Sequence, residues 1–401
     1  MTIRRNGRWS FVAALAAGLG MAGGVAMAAT EDGTDPTIRS VLQTFQQMPG
    51  CSHAGIALGL NVEGRQTIYT VGTVDYADGH SEPVNAQTEF QIGSVTKTYT
   101  ATLYAQLVQE GKLKPDGLVR DLLPKGTPVP SYKDPASGET AEITVDELAH
   151  HTSGLPRQQA IGTSPFTDDH MLATLDRITL RTRPGSKYVD SQLGIALLAK
   201  VLEQVTGHSL ADLVAERITG PMHLQHTRFY SDADVRLPIG IDRANLAAER
   251  MNIGWPAYEG SSALVSNLTD MMTFMSANMG LAPAGDPVAR VLPQLQSWQT
   301  VPCASTQEGG QGCPSIETGL TWSRLPSKVP GLSTIWKNGV TKGFAAWVGF
   351  VAPNPGERSP SGVVALATQS SCPVGPLAIC ALASLNGRPL APVCQPTKVG
   401  Q

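Results

Sequence analysis

The sequence predicts an α+β fold in which an antiparallel sheet is flanked by helices and a mostly helical lobe is inserted into the sheet portion. Runs with β-propensity lie near both ends of the chain, whereas the segment between them has apolar residues at helical spacing and little alternation with a period of two. Strands from the two ends can therefore complete one sheet. This assigns residues 29–113 and 315–401 to a sheet lobe and residues 114–314 to a helical lobe.

The N-terminal part predicts a helix, a hairpin and a second helix. Residues 38–47 have helical spacing, and the β-prone runs 55–62 and 67–71 are joined by a short polar turn, as in a hairpin. A longer helix is expected over residues 94–109. Gly111 stands where a glycine ends such a helix.

The helical lobe and the C-terminal part account for the remaining elements. Apolar spacing predicts a helix that ends at Gly207 and another over residues 266–279, with Ser266 as its N-cap. Runs rich in Val, Ala and aromatic residues then predict strands over 333–337, 344–352 and 362–368, followed by a short helix over 377–385.

Length and charge limit the classes of partner. With 401 residues and ordinary apolar content, the chain can bury one large core or two lobes that share a cleft. Its formal net charge of −3 and the lack of a Lys/Arg-rich run provide no basic surface for a polyanion. We therefore expect no nucleic-acid partner.

The first residues have the pattern of a secretory signal peptide. Arg4, Arg5 and Arg8 form a basic start, residues 11–25 an apolar run, and residues 26–28 a small-residue cleavage site. The run is glycine-rich and shorter than the roughly 20 residues of a membrane-spanning helix. We expect residues 1–28 to be removed, leaving an exported, periplasmic protein without a stable membrane anchor, by general or twin-arginine export.

Six cysteines in an exported chain are expected to form disulfides. Their placement suggests the pairs Cys303–Cys313, Cys372–Cys380 and Cys51–Cys394. None has a Cys-x-x-Cys spacing, and His223 and His226 are interpreted as surface residues of a turn rather than zinc ligands. No metal, nucleotide or flavin motif occurs, so no cofactor is expected.

The stretch Phe90-Gln91-Ile92-Gly93-Ser94-Val95-Thr96-Lys97 indicates the chemistry. Ser94 and Lys97 lie three apart at the start of a predicted helix, so they share a face and the amine can reach the hydroxyl. The helix N-terminus favours an oxyanion. Alone, such a pair is more often an N-cap serine beside an exposed lysine. The preceding Gly93 and the strand-like entry resemble the Ser-x-x-Lys motif of serine β-lactamases and penicillin-binding proteins.

A second element, Trp336-Lys337-Asn338-Gly339, resembles the Lys-Thr-Gly triad of the same enzymes. The resemblance implies that Lys337 binds a substrate carboxylate and that Gly339 lets the strand lie close to a bound amide. The backbone N–H of Val340 would then join that of Ser94 as an oxyanion donor. Asn338 replaces the hydroxyl residue, but its amide can still donate to a carboxylate.

The segment Leu148-Ala149-His150-His151-Thr152-Ser153-Gly154-Leu155-Pro156 resembles one found in class C β-lactamase-like serine hydrolases. With residues 128–132, Pro-Val-Pro-Ser-Tyr, the likeness is closest to the AmpH-type D-alanyl-D-alanine carboxypeptidase/endopeptidases. It covers residues 50–385. It implies one β-lactamase/transpeptidase-like catalytic domain over residues 29–401, with the site in the cleft between the lobes.

The same resemblance suggests roles for the residues around this segment. Gln158 stands where the family has an amide that binds the acylamino side chain of the substrate, and Arg157 is a competing assignment. His150 and His151 are interpreted as packing residues of the loop and helix end.

The chain departs from the family at its Tyr-x-Asn motif, in which a tyrosine between two lysines carries protons. Counting from Pro184-Gly185 and back from Leu193-Gly194 puts Asp190 at the tyrosine position and Gln192 at the asparagine position. Tyr188 is the alternative proton carrier, although its position matches a core aromatic of the family.

Asp190 between Lys97 and Lys337 is expected to be ionised, because nearby positive charge lowers the pKa of a carboxyl group. In return it should hold Lys97 protonated and weaken it as a base. Asp190 could itself take the Ser94 proton, directly or through a water.

Three hypotheses follow. The first is a serine hydrolase that forms an acyl-enzyme on D-Ala-D-Ala peptides or β-lactams of the cell-wall compartment. The second is a penicillin- or peptidoglycan-binding protein with impaired catalysis, and the third an esterase of the same family. An unrelated α/β-hydrolase is disfavoured, because the chain has no Gly-x-Ser-x-Gly elbow.

Overall fold

The computed structural model describes residues 30–158, 166–230, 236–244, 247, 256–304, 315–325, 333–351 and 360–395. The expected leader at residues 1–28 lies outside them. Within the described ranges, no helix combines the length and the apolar character needed to cross a bilayer.

The described residues form sixteen strands, numbered β1 to β16 in chain order: Thr30–Asp32, Ile56–Val62, Arg65–Val71, Thr73–Asp75, Ser81–Pro83, Glu89–Gln91, Tyr132–Lys133, Thr140–Ala141, Arg228–Phe229, Leu264–Asn267, Gln299–Pro302, Ser315–Thr318, Ser323–Leu325, Thr334–Val340, Ala345–Val351 and Ser361–Ala367. In the same ranges the α-helices α1 to α11 are Pro36–Gln46, Thr96–Gln109, Val119–Leu122, Val145–Ala149, Asp168–Ala173, Gln192–Thr206, Leu210–Val214, Glu259–Ser262, Leu268–Asn278, Leu292–Leu295 and Val374–Leu385.

Nine strands form the main sheet, in the order β1-β3-β2-β16-β15-β14-β13-β12-β11. Neighbouring strands are antiparallel except for β1 and β3, which are parallel. The sheet joins β2 and β3 from the start of the chain to β14–β16 from its end, as the α+β prediction requires. It also includes β11, which comes from the segment assigned to the helical lobe.

Alternation along the central strands buries both faces of this sheet. In β16, Val363 and Ala365 belong to a core shared with α1 and α11, whereas Val364 and Leu366 belong to the larger core shared with α2, α6 and α9. The larger core extends into the helical lobe. The N-terminus of α2, which follows Ser94, therefore lies between the sheet and the helical lobe. This is where the active-site cleft is expected from the sequence.

The predicted hairpin and helices are confirmed. β2 and β3 pair antiparallel around a two-residue turn at Glu63-Gly64. α2 ends at Gln109 just before Gly111, which has a positive φ, and α6 ends at Gly207 in the left-handed conformation. The predicted N-cap of α9 was wrong: Asn267, not Ser266, accepts the hydrogen bond from Asp270 N–H. Ser266 lies in β10 and hydrogen-bonds Thr227 instead.

Two predicted disulfides were wrong. The structure pairs Cys51 with Cys372 and Cys380 with Cys394. Cys372 precedes α11 and Cys380 lies within it, so the helical rise separates them by roughly 12 Å, beyond the reach of a disulfide. The sheet instead brings Cys51 within 4.5 Å of Cys372, Cα to Cα. Cys303 is disulfide-bonded, and its predicted partner Cys313 lies outside the described residues.

Candidate active site

Ser94 lies in a single 3₁₀ turn, Gly93–Val95, that connects β6 to α2. The three-residue spacing puts Ser94 and Lys97 on one face, and Lys97 Nζ hydrogen-bonds Ser94 Oγ at 2.6 Å. Lys97 is fully buried. The start of the helix is anchored because Leu264 N–H donates to Thr96 Oγ1 at 3.1 Å. The structure thus brings the half-buried hydroxyl of Ser94 against the fully buried amine of Lys97.

Lys337 reaches the same site from β14. Burial alternates along this strand, so Lys337 and Gly339 are buried while Asn338 and Val340 are exposed. β13 pairs with β14 only as far as Trp336. Among the described residues, the edge of β14 from Lys337 to Val340 therefore has no strand partner on that side.

The backbones of β14 and the Ser94 turn lie directly against each other. A Cβ atom at Gly93 would come 2.8 Å from Val340 N, and one at Gly339 would come 2.8 Å from Ser94 N. Gly93 also has a positive φ of 50°, a conformation that glycine adopts without strain. These contacts bring the two predicted N–H donors, Ser94 and Val340, to the same end of the cleft.

Asp190 lies between the two lysines, just before α6. Its Oδ1 is 3.5 Å from Lys97 Nζ and its Oδ2 is 3.5 Å from Lys337 Nζ. Burial opposes ionisation of Asp190, but Lys337 and Lys97 together hold its pKa well below the ordinary value. The position of Asp190 between the two lysines thus favours the ionised carboxylate that the sequence predicts.

The pKa of the Lys97 amine is lower than the sequence analysis implied. Burial lowers its pKa to about 7; the Asp190 carboxylate opposes this shift and the charge of Lys337 reinforces it. Asp190 favours the protonated amine, as predicted, but complete burial has the larger effect, and the sequence-based prediction left out that cost. Near neutral pH a large fraction of Lys97 is the free amine.

His151 is buried and packs against Tyr188, as its interpretation as a packing residue implies, but it also lies beside Asp190. Its Nε2 lies 3.5 Å from Asp190 Oδ1, and its Nδ1 accepts a hydrogen bond from Ser191 N–H at 3.2 Å. Burial lowers its pKa well below the ordinary value despite the Asp190 carboxylate, so the ring is neutral. The sequence signal was present, since His151 follows the short helix α4 inside the family-like segment, but only the fold brings that loop to Asp190.

His150 and Tyr188 make packing and hydrogen-bond contacts outside the Ser94–Lys97 pair. His150 Nδ1 lies 3.1 Å from a carboxylate oxygen of Asp146 and its Nε2 contacts Ser297 O at 3.3 Å. Tyr188 is buried in a small cluster with Val301 and Ile316, and its ring packs edge-on against His151. Tyr188 is thus the core aromatic that its position suggested.

The predicted amide residues, Gln158 and Gln192, contact each other. Gln158 Nε2 donates to Gln192 Oε1 at 3.0 Å, and Gln192 N–H donates to Arg157 O at 2.8 Å. Arg157 is exposed, and its charge contributes to lowering the pKa of Asp190. The structure therefore places both candidates for side-chain binding, Gln158 and Arg157, next to Gln192.

The described residues contain no group of three or more His, Cys, Asp or Glu side chains arranged to hold a metal ion. His223 is exposed in a turn. His226 Nδ1 lies 3.0 Å from Glu89 Oε1 and forms an ion pair when protonated.

Comparison with known proteins places this geometry in context. A family model described as Beta-lactamase matches residues 41–379. A putative D-alanyl-D-alanine carboxypeptidase of Escherichia coli O157:H7 is 30% identical over 46% of this chain and 45% of its own length. The AmpH D-alanyl-D-alanine-carboxypeptidase/endopeptidase of E. coli K12 is 28% identical over 56% of this chain and 57% of its own. The matches thus span about half the length of these curated relatives.

Solved structures share the fold. A beta-lactamase/D-alanine carboxypeptidase from Yersinia pestis superposes with a TM-score of 0.70 and 23% identity, over 88% of this chain and 98% of its own. This likeness confirms the predicted β-lactamase/transpeptidase-like architecture. Because the family model covers well over half of the sequence, the chain belongs to the beta-lactamase family.

Proposed function

We propose that this protein is an exported serine acyl hydrolase that forms an acyl-enzyme on Ser94 with D-Ala-D-Ala peptides or β-lactams. The observation that carries the proposal is the 2.6 Å contact between Ser94 Oγ and a fully buried Lys97 whose pKa is lowered to about 7. A general base works best when its pKa lies near the operating pH. Membership of the family and the carboxypeptidase relatives support the substrate class.

Acylation begins when Lys97 Nζ takes the proton of Ser94 Oγ. The oxygen then attacks the substrate carbonyl carbon, and the carbonyl π electrons move to its oxygen. The N–H groups of Ser94 and Val340 stabilise that oxyanion. When the intermediate collapses, the bond to the leaving nitrogen breaks and Lys97 returns its proton to that nitrogen. In the second half of the cycle a water attacks the ester carbon while Lys97 or Asp190 accepts its proton. The bond between that carbon and Ser94 Oγ then breaks, the proton returns to Oγ, and the acid product leaves.

The other cleft residues would hold the substrate. Lys337 supplies positive charge for a substrate carboxylate, and the amides of Gln158 and Gln192 can bind the acylamino side chain. Asn338 is exposed beside Lys337 and can donate to the same carboxylate. The free edge of β14 at Gly339 can pair with the substrate backbone.

A second candidate, ester hydrolysis, is favoured by one specific observation. Asp190 Oδ2 lies 3.5 Å from Lys337 Nζ, so an internal carboxylate already partly neutralises the cation that a substrate carboxylate would need. Uncharged esters do not require that cation. They would use the same Ser94–Lys97 pair.

The disulfides support the proposed location, as does the leader-like pattern of the first residues. Two disulfides within the described residues suit an oxidising compartment. We propose the periplasm.

The test incubates purified protein with a fluorescent penicillin, a chromogenic β-lactam, a D-Ala-D-Ala peptide and p-nitrophenyl butyrate, and follows the adduct mass on Ser94. The control is Ser94→Ala. Ser94-dependent labelling with turnover of the peptide or the β-lactam supports the first function, and turnover of the ester alone supports the second. Labelling without turnover indicates a binding protein with impaired catalysis. The absence of both an adduct and Ser94-dependent turnover with all four compounds overturns the serine-hydrolase proposal.

A further inference from the structure

His151 contacts three consecutive residues around the position where the family tyrosine is replaced. Its carbonyl oxygen accepts from Val189 N–H at 2.8 Å, and its ring Nδ1 accepts from Ser191 N–H at 3.2 Å. Its Nε2 faces the carboxylate of Asp190, the residue between them, at 3.5 Å. One side chain and its backbone thus hold both neighbours of Asp190 and Asp190 itself.

These contacts determine which ring nitrogen carries the proton. Ser191 N–H is a donor only, so Nδ1 must accept and the neutral ring carries its hydrogen on Nε2. Nε2–H then points towards Asp190 Oδ1. Within the described residues neither of these two atoms has a conventional hydrogen-bond partner, and a buried donor and acceptor this close stabilise each other.

The backbone at His151 shows that its position is specified by the surroundings. Its φ is 61°, a left-handed conformation that side-chain-bearing residues seldom adopt. Such a conformation persists where neighbouring contacts over-determine it. Here the bonds to Val189 and Ser191 do so.

We infer that His151 is a positioning residue that keeps the Asp190 carboxylate midway between Lys97 and Lys337. The inference rests on the proposed function, because it concerns the base that activates Ser94. Asp190 Oδ1 lies 3.5 Å from both His151 Nε2 and Lys97 Nζ. Without the His151 donor, Oδ1 would move towards Lys97, form a closer ion pair and hold the amine protonated.

Within the part of the chain that the structure describes, the charged and titratable groups around this pair come from several segments of the fold, and they include Tyr188, whose ring packs edge-on against His151. Asp190 is faced by Lys97 of α2, Lys337 of β14, His151 of the loop after α4 and Arg157 of the loop that follows it; His151 is also close to His150. Apart from His151, the titratable groups nearest the Asp190 carboxylate are Lys97 and Lys337. A change at His151 therefore acts on Lys97 through the position of Asp190.

Two substitutions separate this role from a structural one. In His151→Gln the side-chain amide can reach Asp190 but loses the bond to Ser191. In His151→Asn the amide oxygen can keep the bond to Ser191 and the residue tolerates a positive φ, but it cannot donate to Asp190. A structural role predicts that the Asn variant resembles the wild type, and a positioning role predicts that the Gln variant does.

The first readout is the pH dependence of kcat/KM with whichever substrate the wild type turns over. The acidic limb reports deprotonation of Lys97. We expect it to move up by about 1 pH unit in His151→Asn, as the ion pair shortens, and to stay near the wild-type value in His151→Gln. In an Asp190→Asn background the His151→Asn change should lose its effect on the limb. A limb that stays in place in His151→Asn overturns the inference.

The second readout needs no activity, so it separates failure of this inference from failure of the proposed function. ¹⁵N NMR of histidine-labelled protein should show His151 neutral, with Nδ1 unprotonated and Nε2 protonated, between pH 6 and pH 8. A crystal structure of His151→Asn should show Asp190 Oδ1 closer than 3.5 Å to Lys97 Nζ. The opposite tautomer, or an unmoved Asp190, contradicts the positioning role even in a protein that hydrolyses nothing.

Discussion

Gly339 lies so close to Ser94 that a Cβ atom added to it would come 2.8 Å from Ser94 N and 1.9 Å from Ile92 O. Both atoms belong to backbone that cannot rotate away. A side chain at this position must therefore push β14 away from the Ser94 turn and with it the N–H of Val340.

We predict that Gly339→Ala lowers the acylation rate about 100-fold or more, because one oxyanion donor is displaced. The rate of labelling with a fluorescent acylating probe measures it. Gly285→Ala is the matched control, since a Cβ there meets nothing within 4 Å. Labelling of Gly339→Ala at the control rate would contradict the assignment of Val340 as a donor.

Replacing Lys97 should abolish acylation through loss of the base. In Lys97→Met we expect a fall of about 1,000-fold or more in the acylation rate, measured by mass spectrometry of the Ser94 adduct. Lys112→Met, at an exposed lysine paired with Glu110, should leave the rate unchanged. A Lys97→Met protein that acylates at more than about a tenth of the wild-type rate would assign the base to another group, with Asp190 the nearest.

The same Lys97→Met substitution should stabilise the fold at neutral pH. The folded-state pKa of Lys97 is lowered to about 7, whereas an unfolded lysine titrates near pH 10.4. Between these values the unfolded chain binds a proton that the folded chain does not, so wild-type stability falls as the pH drops from about 10 to 7. We expect a free energy of unfolding up to about 4 kcal/mol higher for Lys97→Met at pH 7, reduced by the loss of a partner for Asp190, and a difference below about 1 kcal/mol at pH 10.

Urea unfolding at the two pH values measures this difference. The Lys112→Met variant serves again as control and should show no pH-dependent gain. Equal stability of Lys97→Met and wild type at pH 7 would mean that the amine is not desolvated as its burial indicates.

Neutralising Asp190 should shift the pH profile in the opposite direction to His151→Asn. The carboxylate raises the pKa of Lys97 against the effect of burial, so Asp190→Asn should lower that pKa further. We expect the acidic limb of kcat/KM to move down by about 1 pH unit. Stopped-flow or steady-state rates between pH 5 and pH 9 test it, and an upward shift would contradict the electrostatic arrangement of the site.

The two disulfides should contribute unequally to stability. Cys51–Cys372 links residues 321 apart in sequence, and Cys380–Cys394 links residues 14 apart. In the loop-entropy model the longer link restricts the unfolded chain more. Its contribution to the free energy of unfolding is therefore larger by about 3 kcal/mol. We expect Cys51→Ala/Cys372→Ala to lower Tm clearly more than Cys380→Ala/Cys394→Ala in thermal unfolding. Equal losses would mean that the links act mainly through native packing.

Much of the fold was predictable because short sequence patterns determine its turns, helix ends and strands. The two-residue turn at Glu63-Gly64, the glycine that ends α6 and the runs of Val, Ala and aromatic residues in β14 to β16 are properties of short segments. The cap of α9 was misassigned by one residue, because Ser266 and Asn267 are both good caps and the partner of Ser266, Thr227, is remote in sequence.

The sequence by itself determined the spacing of Ser94 and Lys97, the lysine strand and the replacement of the motif tyrosine by Asp190. Only the tertiary structure decided the protonation states of the residues in that site. Complete burial lowers the pKa of Lys97 to about 7, and the loop of His151 meets Asp190 across 38 intervening residues. Desolvation and contacts between distant segments do not exist until the chain has folded, so no local pattern records them.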